Sequence, residues 1–177
     1  MNYEKAVNKA VDVYKENWVI FAVSTLVVFA LGMLTLGLLF GPLMAGLASM
    51  FLKAKEGKKP VFNDLFRYNS KFIGMAIMGL LIGILVCLGL ALLILPGLLL
   101  MTLWMYSIYA MAFGDKGIID SMRSSWNMVI KNSIWQHLVI LLAIGILNSI
   151  GGAIVVGTLI TLPLTLGFLA MMYEGNK

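Results

Sequence analysis

The stretch that decides the fold is residues 72–114, FIGMAIMGLLIGILVCLGLALLILPGLLLMTLWMYSIYAMAFG, in which no side chain is charged. A helix crossing the hydrocarbon of a bilayer needs about 20 apolar residues. A straight helix of about 40 residues would be about 60 Å long, twice the thickness it has to cross. The run must therefore turn back, and Gly89 and Pro96-Gly97 are the breakers placed to let it. It is read as a hairpin of two transmembrane helices.

Two more runs have the same character, Asn17 to Leu52 and Asn132 to Tyr173. Their breakers are Gly32, Gly37 and Gly41-Pro42 in the first, and Asn148-Ser149 with Gly151-Gly152 in the last. All thirteen basic residues fall outside the three runs, leaving none for the hairpin tips. Short loops rich in Lys and Arg stay on the cytoplasmic side, so the pattern predicts six spans in the cell membrane with both termini cytoplasmic. The first run is the shortest, and a hairpin that dips in without crossing would leave its charges on the same side. Composition agrees: 177 residues that are 61% hydrophobic and 12% charged, with mean hydropathy +0.97, hold more apolar surface than a soluble domain of this length can bury. The net charge of +5 therefore reflects topology and gives no reason to expect nucleic acid. Residues 1–16 are mixed in charge with no small-residue cleavage site, so the first run is expected to stay in the mature protein.

The segments before the runs read as amphipathic interfacial helices, at about residues 2–16, 61–71 and 117–131. In the first, Tyr3, Ala6, Val7, Ala10, Val11 and Tyr14 recur at helical spacing. In the last, Ile118, Met122, Trp126, Val129 and Ile130 share a stripe, with Arg123, Asn127 and Lys131 spaced by four on another. The middle one is weaker, with Val61, Phe62, Leu65 and Phe66 as a short apolar face. Trp18, Tyr68, Trp135 and Tyr173 stand at run ends, where aromatic belt residues belong. The amphipathic–apolar–proline order occurs three times, with Phe40-Gly41-Pro42, Ile94-Leu95-Pro96 and Thr161-Leu162-Pro163 at comparable points and Pro163 inside its return helix.

The chemistry is sparse. No charged residue is expected near the bilayer centre, which argues against a proton-coupled pump. His137 is the lone histidine and Cys87 the lone cysteine, so neither a histidine metal pair nor an internal disulfide is available. A solvated or backbone-bonded imidazole is the plain reading of His137. There is no phosphate-binding loop, nucleotide fingerprint or nucleophile elbow, and Asp64, Asp115 and Asp120 stand apart in the sequence. Neither a cofactor, a metal site nor a catalytic set is expected. Lys53, Lys55, Lys58, Lys59, Arg67 and Lys71 form a basic loop offset by only Glu56 and Asp64, suited to anionic headgroups or to a membrane or cytoplasmic partner. Thr102, Ser107 and Asn148 are polar residues within the runs that either hydrogen-bond between helices or line a cavity. Gly37-xxx-Gly41, Gly79-xxx-Gly83 and Ala153-xxx-Gly157 are small pairs at one-turn spacing that would let helices approach, within the monomer or in a homo-oligomer.

Gly41-Pro42-Leu43 with Gly46-Leu47, the run Leu92 to Leu95 ending in Pro96-Gly97, and Asp120-Ser121 leading to Ser125 and Lys131 resemble uncharacterised prokaryotic membrane families. These are grouped with the membrane domain of glycerophosphodiester phosphodiesterases. The resemblance implies a helical membrane domain whose catalytic partner domain is separate, so it carries no catalytic residue onto this chain. The expectation is an all-α integral membrane protein in one membrane domain, 1–177. It is a non-enzymatic module that associates with anionic lipid or a partner, the alternative being a small-molecule or lipid transporter with a mid-membrane cavity.

Overall fold

A computed structural model describes residues 3–153 and 155–176, and among these residues the regular structure is entirely helical. Nine α-helices follow in order: α1 (Tyr3–Glu16), α2 (Trp18–Leu34), α3 (Phe40–Lys55), α4 (Phe72–Leu92), α5 (Ile94–Trp104), α6 (Ser107–Gly114), α7 (Ile118–Lys131), α8 (Ile134–Ala153) and α9 (Val155–Gly175). Four stretches are long and apolar enough to cross a membrane: Phe62–Leu92, Ile94–Gly114, Ile134–Ala153 and Val156–Gly175. A fifth arises if α1 and α2, bent by 93° at Asn17, form one broken span. With 16 residues α3 is about 24 Å long at 1.5 Å per residue, short of the ~30 Å hydrocarbon core. The described residues gather in two compact units, Met1–Phe72 with Ile146–Lys177, and Ile73–Gly145, where the sequence draws no boundary.

In the first unit α3 is the core. Pro42, Leu43, Ala45 to Leu52 and Ala54 are all buried, because α1, α2 and α9 pack around it. Tyr14, Phe21 and Phe51 stack in series, with ring centroids 6.1 and 4.1 Å apart. The α2–α3 turn uses Leu36 and Gly37 at positive φ (52° and 89°), while Thr35 Oγ1 accepts the Leu39 amide. Gly37 thus lies in the turn, and Ala153 ends α8 while Gly157 belongs to α9, so two of the three small pairs straddle turns. Breakers and small packing residues are the same amino acids, and spacing alone does not separate the two uses. The third pair, Gly79 and Gly83, is helical but open: a Cβ at either would meet nothing within 4 Å.

The middle segment folds as two 3-10 turns, Phe62–Phe66 and Asn69–Lys71, in place of an amphipathic α-helix. Leu65 is buried against α3, and a Cβ on Gly46 would overlap its carbonyl oxygen, so glycine there is what lets the turn lie on the helix. Tyr173, placed at a membrane interface by the sequence, is instead buried in this unit's core.

In the second unit the α4–α5 reversal comes at Leu93, whose backbone is extended (φ −160°, ψ 145°), rather than at the expected breakers. Pro96 is the third residue of α5, as Pro42 is of α3, where a missing amide breaks no helical hydrogen bond. Gly89 and Gly97 bring the two arms together: a Cβ on Gly89 would stand 3.0 Å from the Gly97 Cα. Pro163 does lie inside α9. A break at Met105 and Tyr106, with no glycine or proline near it, divides α5 from α6. It is held by Ser125 of α7, whose Oγ donates to the Leu103 carbonyl (2.7 Å) and accepts the Tyr106 amide (3.1 Å). Apolar side chains cover the outside of α4 and α8, among them Ile73, Leu80, Ile84 and Leu88, and Trp135, Val139 and Ile150. Such surfaces suit lipid as solvent.

Candidate functional site

Half of the basic loop's cations are paired with carboxylates. Lys53 Nζ lies 2.7 Å from Asp64 Oδ2, with both side chains partly shielded, and the same oxygen accepts the Val61 amide at 2.9 Å. Lys58 bonds Glu56 at 2.7 Å, and Lys55 reaches Glu174 at 3.4 Å. The Lys58 ammonium beside Glu56 holds that carboxyl below the usual carboxylate range. Lys59 and Arg67 are exposed beyond these pairs, and Lys71 is half-buried at the end of the second 3-10 turn. The sequence sets six cations here against Glu56 and Asp64; the fold pairs those two carboxylates with Lys53 and Lys58 and adds Glu174 beside Lys55.

Of the three polar run residues, two lie in the second unit and one in the first. Thr102 is buried and donates to Leu98 one turn earlier in α5 (2.8 Å). Ser107 is fully buried in the first turn of α6, its Oγ lacking a partner among the described residues. Asn148, in the other unit, donates from Nδ2 to Thr165 Oγ1 and so joins α8 to α9 (3.2 Å). His137 is wholly buried and backbone-bonded, its Nδ1 2.9 Å from the Ser133 carbonyl. A carbonyl accepts only, so Nδ1 carries the hydrogen and Nε2 is left as an acceptor, without a partner among the described residues. The ring stands edge-on to Tyr106 at 5.6 Å.

The surface with most chemistry lies on α7. At about 100° per residue its side chains fall in three sectors. Ser121, Met122, Ser125, Met128 and Val129 are buried against the second unit. Ile119, Trp126 and Ile130 form an exposed apolar sector, 62%, 41% and 52% accessible. Asp120, Asn127 and Lys131 are exposed on the polar side, with Arg123 at the border between the last two sectors. The apolar stripe read from sequence is therefore two: Met122 and Val129 face protein, while Trp126 and Ile130 face outward with Ile119. Between α5 and α7 opens a groove of about 430 Å³ lined by Trp104, Ile119, Met122, Arg123, Trp126 and Asn127.

No protein-family model, curated protein or solved structure matches the chain.

Chemistry has to be read from the geometry alone. Of the groove's α7 edge the sequence reading singled out Met122, Arg123, Trp126 and Asn127 but not Ile119. The other wall was not legible, because Trp104 reaches α7 only through the helix break that Ser125 holds.

Proposed function

We propose that the chain is a non-enzymatic integral membrane module, with its helices arranged as three hairpins crossing six times and both termini in the cytoplasm. Its surface helices associate with anionic lipid or with a membrane or cytoplasmic partner. The observation that carries this reading is the three-sector α7. A helix that buries one face in protein and exposes an apolar sector beside a polar one is suited to the boundary between hydrocarbon and water. The right angle between α1 and the apolar α2 supports the same placement for α1. The glycine and proline pattern that resembles uncharacterised membrane families grouped with the membrane domain of glycerophosphodiester phosphodiesterases would imply a helical module with no catalytic set. The test is native mass spectrometry of protein extracted gently from its own membrane: co-purifying anionic lipid or a protein partner is expected, and recovery of a bare chain would overturn the reading. Six passes would be checked with cysteines at Leu36 and Lys58 in a Cys87→Ser background. An impermeant maleimide should label the first in intact cells and the second only after permeabilisation.

One observation favours a second reading, a carrier of small molecules or lipid. Broken helices with unpartnered polar groups line substrate sites in transporters, and α5–α6 is broken beside the buried Ser107 Oγ. Asn148→Leu separates the readings, since a carrier using the polar run residues should lose transport while a scaffold with normal expression should not.

A further inference from the structure

We propose that the groove between α5 and α7 binds one phospholipid with an anionic headgroup, its phosphodiester at Arg123 and Asn127 and an acyl chain along Trp104, Met122 and Trp126. The proposal rests on the reading of α7 as a helix at the membrane–water boundary.

Charge identifies the headgroup. Arg123 is exposed and has no ion-pair partner among the described residues, although Asp120 precedes it by one turn. Asn127 and Lys131 follow at successive turns on the same side. A guanidinium offers parallel N–H donors that match two phosphate oxygens, and an amide one turn on adds a further donor. In the basic loop, by contrast, Lys53, Lys55 and Lys58 already face carboxylates. Arg123 is a cation without a carboxylate that also lines an apolar groove.

The wall identifies the rest of the molecule. Two tryptophans, Met122 and Ile119 make up most of the lining, and the groove is open along its length rather than closed over. An open apolar trough suits a chain that lies in from the surrounding lipid, while a soluble anion would cover Arg123 and leave the tryptophan faces bare. Trp126, on the boundary helix, suits headgroup depth, with its ring in apolar surroundings and its N–H toward water.

Detergent-purified full-length protein would be offered equal amounts of phosphatidylglycerol and phosphatidylcholine, and the lipid retained counted by native mass spectrometry. One phosphatidylglycerol should be kept in preference. Arg123→Gln, at an exposed position that folding does not need, should lower that retention about tenfold, as expected for one charge-assisted contact. Lys58→Gln with Lys59→Gln should leave it unchanged. Preferential retention that survives Arg123→Gln but falls with the loop variant would overturn the groove site and leave the broader lipid reading standing. No preference in the unmodified protein would overturn both. Binding of inorganic phosphate with no lipid retained would overturn the phospholipid.

Discussion

The hydroxyl of Tyr14 donates to the carbonyl oxygen of Leu159 at 3.2 Å, and Leu159 stands four residues before Pro163 in α9. A proline in a helix has no amide for the carbonyl four residues back. The Leu159 oxygen is thus left without its helical donor, and α1 supplies another. Tyr14→Phe should lower stability by about 1 to 2 kcal/mol, the cost of an unmade bond to a shielded carbonyl. In a Pro163→Ala background, where the substituted residue provides the missing amide, Tyr14→Phe should cost markedly less. Thermal unfolding of the two single variants and the double variant in detergent measures the difference, and additive losses would refute the link.

Ser125 closes the break between α5 and α6 through two backbone groups at once, so Ser125→Ala orphans a buried amide and a buried carbonyl. The expected loss is about 2 kcal/mol or more. Ser124, which only reaches the Lys116 ammonium at the surface, should tolerate alanine within about 0.5 kcal/mol. Hydrogen exchange at the Tyr106 amide would show the local opening directly.

Asp64 holds both Lys53 and the Val61 amide, tying the first 3-10 turn to the end of α3. Asparagine keeps an acceptor for the amide and loses the ion pair, which at this partial exposure is worth on the order of 1 kcal/mol or less. The readout is local: trypsin should cut Asp64→Asn faster after Lys58, the Lys59–Pro60 bond being resistant, with global unfolding little changed.

Two glycines should respond oppositely to alanine. At Gly46 a methyl group collides with the Leu65 carbonyl, so the turn must lift from α3 and stability should fall by about 1 to 3 kcal/mol. At Gly79 the methyl meets open space, and the better helix propensity of alanine should leave stability equal or up to about 1 kcal/mol higher. Parallel melting curves decide it.

The long helices were legible because hydrocarbon imposes a length and an absence of charge that need no tertiary knowledge. The helices of the first and last amphipathic segments were legible to within a residue or so, α1 and α7 falling at Tyr3–Glu16 and Ile118–Lys131 against 2–16 and 117–131. The turns were less so. Glycine and proline mark both reversals and close approaches, so Gly89 and Gly97 look like a turn and act as a contact. The break at Met105-Tyr106 had no local mark, since its cause is a serine some twenty residues later. The basic loop was overrated for the same reason: Lys55 has its carboxylate in Glu174, far along the chain.

The burial of α3 on all sides has a consequence for biosynthesis. Its neighbour α9 is translated only after residues 56–154 have been made, so α3 must wait near the translocon without the partner that covers it. The first unit can close only after α9 has emerged, which makes its assembly late and places the greatest risk of degradation in the interval before.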